Sequence, residues 1–246
     1  MKATGETIDT AEIARFAAHA ATWWDPAGSF RPLHRLNPAR LGFIRGQLDA
    51  HFGRDTRVLT PFAGLTLCDI GCGGGLIAEP MARLGFAVTA IDADEEAITV
   101  GREHAVTGGL KIDYRSETAE SLAGNRQQFD VVLALELVEH VADAGALLAA
   151  CAALVKPGGV FIGATLNRTP QSYALAIVGA EYLLRWLPRG THDWQRFLRP
   201  SEFVLGLRRG GLRATCLKGL RYRLASGDWA LSEDLSVNYL VTAVKQ

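Results

Sequence analysis

The stretch Leu65-Thr66-Leu67-Cys68-Asp69-Ile70-Gly71-Cys72-Gly73-Gly74-Gly75-Leu76 decides the fold. An apolar run stops at an acid, and four glycines follow within five residues. The pattern reads as a buried strand ending in a tight, side-chain-free turn that opens a helix at Leu76. A nucleotide-like ligand can sit on such bare backbone, because a Cβ there would hold it off. A dinucleotide fingerprint needs G-x-G-x-x-G, and the residue three after Gly73 is Leu76, so that reading is excluded. Gly71 and Gly73 are candidate ligand contacts. Twenty-one residues after Gly71 comes Asp92, at the end of a second strand-like run over 86–91. An acid there can accept hydrogen bonds from both ribose hydroxyls. The plainer reading of Asp92 is an N-cap for the helical run 94–106.

Outward from this turn, short apolar runs alternate with helical patterns. Strands are predicted near 66–70, 86–91, 110–115, 129–135 and 159–165, and helices near 75–84, 94–107 and 143–155. That alternation predicts an α/β fold with a doubly wound, mostly parallel sheet. Lys156-Pro157-Gly158-Gly159 reads as a helix stop and turn before the fifth strand. Segments 213–221 and 237–244 read as two more strands with no helix between them, hence a C-terminal antiparallel hairpin and seven strands in all.

At 246 residues the chain suits one domain with decorations. Lysine and arginine balance aspartate and glutamate at 26 each, so no global field favours nucleic acid. Cys68, Cys72, Cys151 and Cys216 lack paired metal spacing and read as buried thiols in a reducing compartment. The start, MKATGETIDT, has no signal-peptide core, and no apolar run reaches the ~18 residues of a membrane span. A cytoplasmic location is expected.

Glu136-Leu137-Val138-Glu139-His140 follows the fourth strand directly. Glu136, Glu139 and His140 fall at i, i+3 and i+4, which places them on one face if the segment is helical. Two carboxylates and an imidazole at the carboxyl end of a strand can hold a divalent cation. They can equally supply a general base, or simply line a ligand pocket. His34 and His192 are secondary candidates for a base.

Several motifs stand in one order along the chain: Trp23-Trp24-Asp25, Pro32-Leu33-His34-Arg35-Leu36-Asn37-Pro38-x-Arg40, the glycine turn, Leu137-Val138-Glu139-His140-Val141, Leu154-Val155-Lys156-Pro157-Gly158-Gly159, Val178-Gly179-Ala180-Glu181-Tyr182 and Gly190-Thr191-His192-Asp193. The glycine turn with its leading acid resembles the first motif of class I S-adenosylmethionine-dependent methyltransferases. The full set resembles the ubiquinone biosynthesis O-methyltransferase family over about 13–238. The resemblance implies a Rossmann-like domain over 54–246 behind an N-terminal helical cap over 1–53. It implies methylation of ring hydroxyls on polyprenylated phenols and catechols, with S-adenosylmethionine contacted by Arg40, Gly71, Asp92 and Leu135. It also implies a divalent cation, magnesium above others, at Glu136, Glu139 and His140, and work within a ubiquinone-biosynthesis complex. The alternatives are another small-molecule methyltransferase and a cofactor-binding assembly partner without catalysis. Many relatives in the wider class carry an acid where Thr118 falls, so the adenine contact stays unassigned.

Residues 166–200 form an insertion after the fifth strand, far longer than the ~2–6 residues usual there. Apolar residues at 173, 176, 177, 180, 184 and 187 share one helical face. Five arginines stand against Glu181 and Asp193 across the insertion. Such a helix can lid a substrate or lie on an anionic membrane surface, which would place the chain peripherally on the inner face of a membrane.

Overall fold

A computed structural model of the chain describes residues 9, 13, 17, 19–55, 57–175, 193–223 and 227–246. Eight strands form one sheet: β1 (Thr66–Ile70), β2 (Ala87–Asp92), β3 (Ile112–Ser116), β4 (Phe129–Leu135), β5 (Val155–Leu166), β6 (Leu212–Arg223), β7 (Asp228–Ser232) and β8 (Asn238–Lys245). Their spatial order is β3-β2-β1-β4-β5-β8-β6-β7. The first five strands run parallel, and β8 pairs antiparallel with both β5 and β6. The chain is doubly wound, and its strand order reverses between β1 and β4. That reversal opens a crevice at their carboxyl ends, where ligands of open α/β sheets bind.

The expected seven-stranded count becomes eight. The addition is β7, paired antiparallel with the outer end of β6. It is short and half-exposed, and its alternation is too brief to read from sequence. The Lys156–Gly159 turn is also absorbed. β5 begins at Val155 directly after the preceding helix, with a register irregularity opposite Phe129–Val131.

Among the described residues, six helices of six residues or more cover the sheet: α1 (Arg31–Phe52), α2 (Ala78–Arg83), α3 (Glu95–Thr107), α4 (Ala119–Gly124), α5 (Ala144–Leu154) and α6 (Pro200–Arg209). Side chains alternate across the buried strands. Leu67, Val131, Leu133 and Ile162 pack on one face with Phe43, Ile44 and Leu48 of α1. Cys68, Val132 and Phe161 pack on the other with Leu147 and Cys151 of α5 and Phe203 of α6. Helix α1 therefore belongs to the main core as well as to the cap. It runs through Pro38 and ends where Gly53 adopts φ +60°.

The helix starts follow capping chemistry. Asp94 accepts from the Glu96 and Ala97 N–H groups, Thr118 from Ser121 and Asp143 from Ala146. Asp94 is thus the cap of α3, which frees Asp92 from that structural duty. Among the described residues no helix is long and apolar enough to cross a membrane. The amphipathic stretch 173–187 and His192 lie largely or wholly outside the described residues. Within the described part, β5 ends at Leu166 and α6 begins at Pro200.

Candidate functional site

A cavity of about 200 Å³ lies at the carboxyl ends of β1, β2 and β4. Arg40, Gly71, Gly73, Asp92, Leu135, Glu136 and His140 all line it. Residues about 100 positions apart in sequence thus meet because β1 sits between β2 and β4.

The glycine turn is cut to fit its neighbours. Gly71, Gly73 and Gly75 adopt φ of +70°, +51° and +92°, a region costly for any residue with a Cβ. A Cβ on Gly71 would lie 2.9 Å from the Leu137 side chain, and one on Gly75 would lie 2.0 Å from the Tyr114 hydroxyl. At Gly73 and Gly74 the space belongs to Trp23. Sequence reading assigned that room to a ligand; here an indole from the N-terminal segment fills part of it. Trp24 fastens the same segment, since its Nε1 donates to the Gly74 carbonyl at 2.9 Å and its ring stacks on His104 at 3.6 Å. His104 in turn meets the buried Glu79 carboxylate at 2.6 Å.

Asp92 ends β2 with both oxygens engaged by backbone. Oδ2 accepts from Gly73 N–H at 2.8 Å, and Oδ1 accepts from Asp94 N–H at 2.9 Å. Burial pushes its carboxyl above the ordinary range, while those N–H donors oppose the shift. A carboxylate has about four acceptor positions, so it retains capacity for ribose hydroxyls.

The other end of the cavity is a buried charge cluster. Arg40, only 3% exposed, reaches from α1 toward three carboxyls. Its Nη1 lies 3.8 Å from Glu136 Oε1, its Nη2 donates to Asn37 Oδ1, and its Nε has no hydrogen-bond partner. Burial lowers the guanidinium pKa, and Glu136, Asp69 and Glu139 pull it back up. Asp69, also 3% exposed, has one oxygen without a partner; burial raises its carboxyl to about 7 against the pull of Arg40. An incompletely used guanidinium beside surplus carboxyl groups suits a ligand carrying both a carboxylate and positive charge. The residues present therefore fit S-adenosylmethionine, whose amino-acid end has that character. Thr118 and Ala119 line the same cavity beyond Asp92. The Thr118 hydroxyl is already accepting from Ser121 N–H, so it is committed to the cap of α4.

Glu136, Glu139 and His140 do not assemble into the cation site anticipated for them. Among the described residues no three His, Cys, Asp or Glu side chains come together in a way that could hold a metal ion. The cause is local backbone geometry. Glu136 adopts φ +52°, and only Val138–His140 forms a turn, of the tight 3₁₀ kind. The three side chains consequently do not share a helical face. Glu136 and His140 line the cavity, whereas Glu139 is buried and accepts from Thr165 Oγ1 at 2.8 Å. Its other oxygen lacks a partner, and burial together with the Glu136 charge pushes its carboxyl well above the ordinary range. A left-handed φ at a glutamate leaves no trace in the sequence, and the cost of about 1–3 kcal/mol marks a site where local strain is kept.

Asp69, Asn37 and Trp23 belong to the site although the sequence did not single them out for it. Asp69 carried a signal, as the acid that interrupts an otherwise apolar strand. The two pieces outside the sheet also meet here: Arg196 Nη1, near the end of the insertion, donates to Asp9 Oδ2 at 2.9 Å, and Asp9 lines the cavity.

Residues 68–163 match the family model of a methyltransferase domain. Among solved structures, magnesium protoporphyrin IX methyltransferase from Synechocystis with bound SAM superposes with a TM-score of 0.59 at 15% identity, covering 99% of this chain and 100% of that one. A SAM-dependent methyltransferase from Thermotoga maritima gives 0.62 at 14% identity over 97% and 100%. These two share the fold. Sequence relatives are far nearer. The ubiquinone biosynthesis O-methyltransferase of Dinoroseobacter shibae is 53% identical over 100% of this chain and 99% of its own length. That of Paramagnetospirillum magneticum is 54% identical over 97% and 96%. Identity of 53% and 54% over nearly the whole of both chains places this chain in the ubiquinone biosynthesis O-methyltransferase family.

Proposed function

We propose that this enzyme transfers a methyl group from S-adenosylmethionine to a ring hydroxyl of a polyprenylated phenol or catechol in ubiquinone biosynthesis. The observation that carries the reading is the joint placement of Arg40, Asp92, Glu136 and His140 around one cavity at the switch point of the sheet. Arg40 grips the α-carboxylate of the cofactor, Asp92 accepts from the ribose, and Gly71, Gly73 and Leu135 present backbone to it. When bound, the cofactor supplies an activated methyl on a sulfonium, so the protein has chiefly to align nucleophile and donor.

A phenolic hydroxyl ionises near pH ~10 and is a weak nucleophile at neutral pH. His140 faces the cavity and is the residue we assign as base, taking the hydroxyl proton on a ring nitrogen. Glu136 lines the same cavity. Glu139, bonded to Thr165, supports the turn that presents them.

The insertion gives the reading a second element. Tyr173 and Leu175 expose large apolar side chains, and arginines outnumber acids across 166–200. We infer that this segment makes peripheral contact with the inner face of the membrane, where a polyprenyl substrate resides, and that the chain works there beside other enzymes of the pathway. Sedimentation with anionic vesicles measures the contact directly.

The decisive experiment is methyl transfer from labelled cofactor to a short-chain prenylated catechol, with and without chelator, for the native chain and for His140→Ala. Turnover that resists chelator and falls at least ~100-fold in His140→Ala is the expected result. Turnover abolished by chelator and restored by magnesium would overturn the base assignment in favour of a cation.

A further inference from the structure

Asn37 occupies a position that neither the family resemblance nor the fold explains by itself. It sits on α1, one turn before Arg40, and is buried. Its amide is used at both ends. Oδ1 accepts from Arg40 Nη2, and Nδ2 donates to the Leu76 carbonyl at 3.3 Å. Leu76 is the residue that leaves the glycine turn. One side chain thereby fixes the guanidinium relative to the turn, across the seam between the N-terminal helix and the sheet domain.

The arginine needs such a support. Its Nη1 is within 4 Å of Glu136, and Asp69 and Glu139 also attract it electrostatically. A long, rotamer-rich side chain facing several acids on the sheet side would be drawn toward them. The hydrogen bond to Asn37 pulls it the other way. With Nη2 anchored there, Nε is left buried and unpartnered. A buried donor without a partner is costly, and the cost is relieved when an acceptor arrives. The fork is therefore held in position and partly unsatisfied before any ligand binds.

We propose that Asn37 is a positioning residue: it holds Arg40 aimed at the α-carboxylate of the bound cofactor and keeps it from collapsing onto Asp69 and Glu136. Asn37 itself touches Arg40 and the turn; its effect on the ligand passes through the arginine. The proposal rests on the assignment of Arg40 to the cofactor carboxylate.

The test compares two ligands by calorimetry on the full chain. S-adenosylhomocysteine carries the amino-acid end, and 5′-methylthioadenosine lacks it. Asn37→Ala is expected to weaken the first about 10-fold while changing the second less than about 2-fold. In an Arg40→Ala background, Asn37→Ala should add little, because the two act as one unit. Asn37→Ser, which retains an acceptor of smaller reach, should fall between the native chain and Asn37→Ala, and it is the variant to read if Asn37→Ala melts early. Equal weakening of both ligands overturns the proposal and makes Asn37 a structural tie. Multiplicative effects in the double variant overturn it as well. If Arg40→Ala fails to alter the ratio between the two ligands, the assignment of Arg40 fails, and the proposal falls with it; if Arg40→Ala alters the ratio and Asn37→Ala does not, the proposal alone fails.

Discussion

The indole of Trp23 occupies the space that a Cβ on Gly73 would need, with Cζ2 only 1.9 Å from the position such a Cβ would take. The glycine turn and the N-terminal segment are thus fitted to each other across 50 residues of sequence. Gly73→Ala carries two penalties, a φ of +51° and the displacement of Trp23. It should lose at least ~2 kcal/mol of stability and bind S-adenosylhomocysteine at least ~10-fold more weakly. Adding Trp23→Ala removes the collision but leaves the backbone penalty, so the double variant should recover part of the stability. Chemical denaturation of the three variants separates the two costs, and no recovery at all would show that the contact with Trp23 is incidental.

Glu136 holds a left-handed φ where β4 leaves the sheet. Glycine meets this conformation without the penalty that any Cβ brings. Glu136→Gly should therefore be more stable than Glu136→Ala by about 1 kcal/mol, although both lose the same carboxylate beside Arg40. Both should lose turnover, so the stability ranking runs opposite to any role of the side chain in folding. Parallel thermal melts decide it, and an alanine variant equal to or better than glycine would remove the strain argument.

The strands of the central sheet were legible because burial on both faces demands continuous apolar runs, and 66–70 and 129–135 are matched residue for residue. Asp92 was legible for a similar reason, being a charge placed where an apolar run ends. What stayed hidden depends on backbone torsion or on distant packing. The spacing of Glu136, Glu139 and His140 signals a shared face only if the segment is α-helical, and a left-handed glutamate followed by a 3₁₀ turn breaks that premise. Helix α4 is a six-residue element too short to show a period. The docking of Trp23 and Trp24 on the glycine turn is a tertiary contact to which local propensity is blind.

Three buried acids, Asp69, Asp92 and Glu139, make stability depend on pH. Burial raises Asp69 to about 7 and Glu139 well above the ordinary carboxylate range. An unfolded carboxyl titrates near ~4. Between those values the folded chain binds more protons than the unfolded one, so stability falls as pH rises. The apo chain should lose a few degrees of Tm between pH ~5 and ~8. Glu139→Gln, which keeps an acceptor for Thr165 and cannot ionise, should flatten the slope and leave the share due to Asp69 and Asp92. A slope unchanged in that variant would mean that Glu139 is ionised in the folded chain.

Asp92 offers a contrast to Arg40 at the other end of the cavity. Its two oxygens accept from Gly73 and Asp94 N–H groups, which fixes the turn and orients the carboxylate. An amide in its place has a single oxygen, so Asp92→Asn sets an NH₂ group against one of those N–H donors. Losing an acceptor for a buried donor costs about 1–3 kcal/mol, and the ribose loses a charged acceptor as well. Asp92→Asn should therefore weaken S-adenosylhomocysteine and 5′-methylthioadenosine alike, each by ~10–100-fold, since both ligands carry the ribose. Arg40→Ala should weaken the first alone. Isothermal titration of both variants against both ligands gives four affinities, and a loss in Asp92→Asn confined to S-adenosylhomocysteine would move Asp92 from the ribose to the amino-acid end of the site.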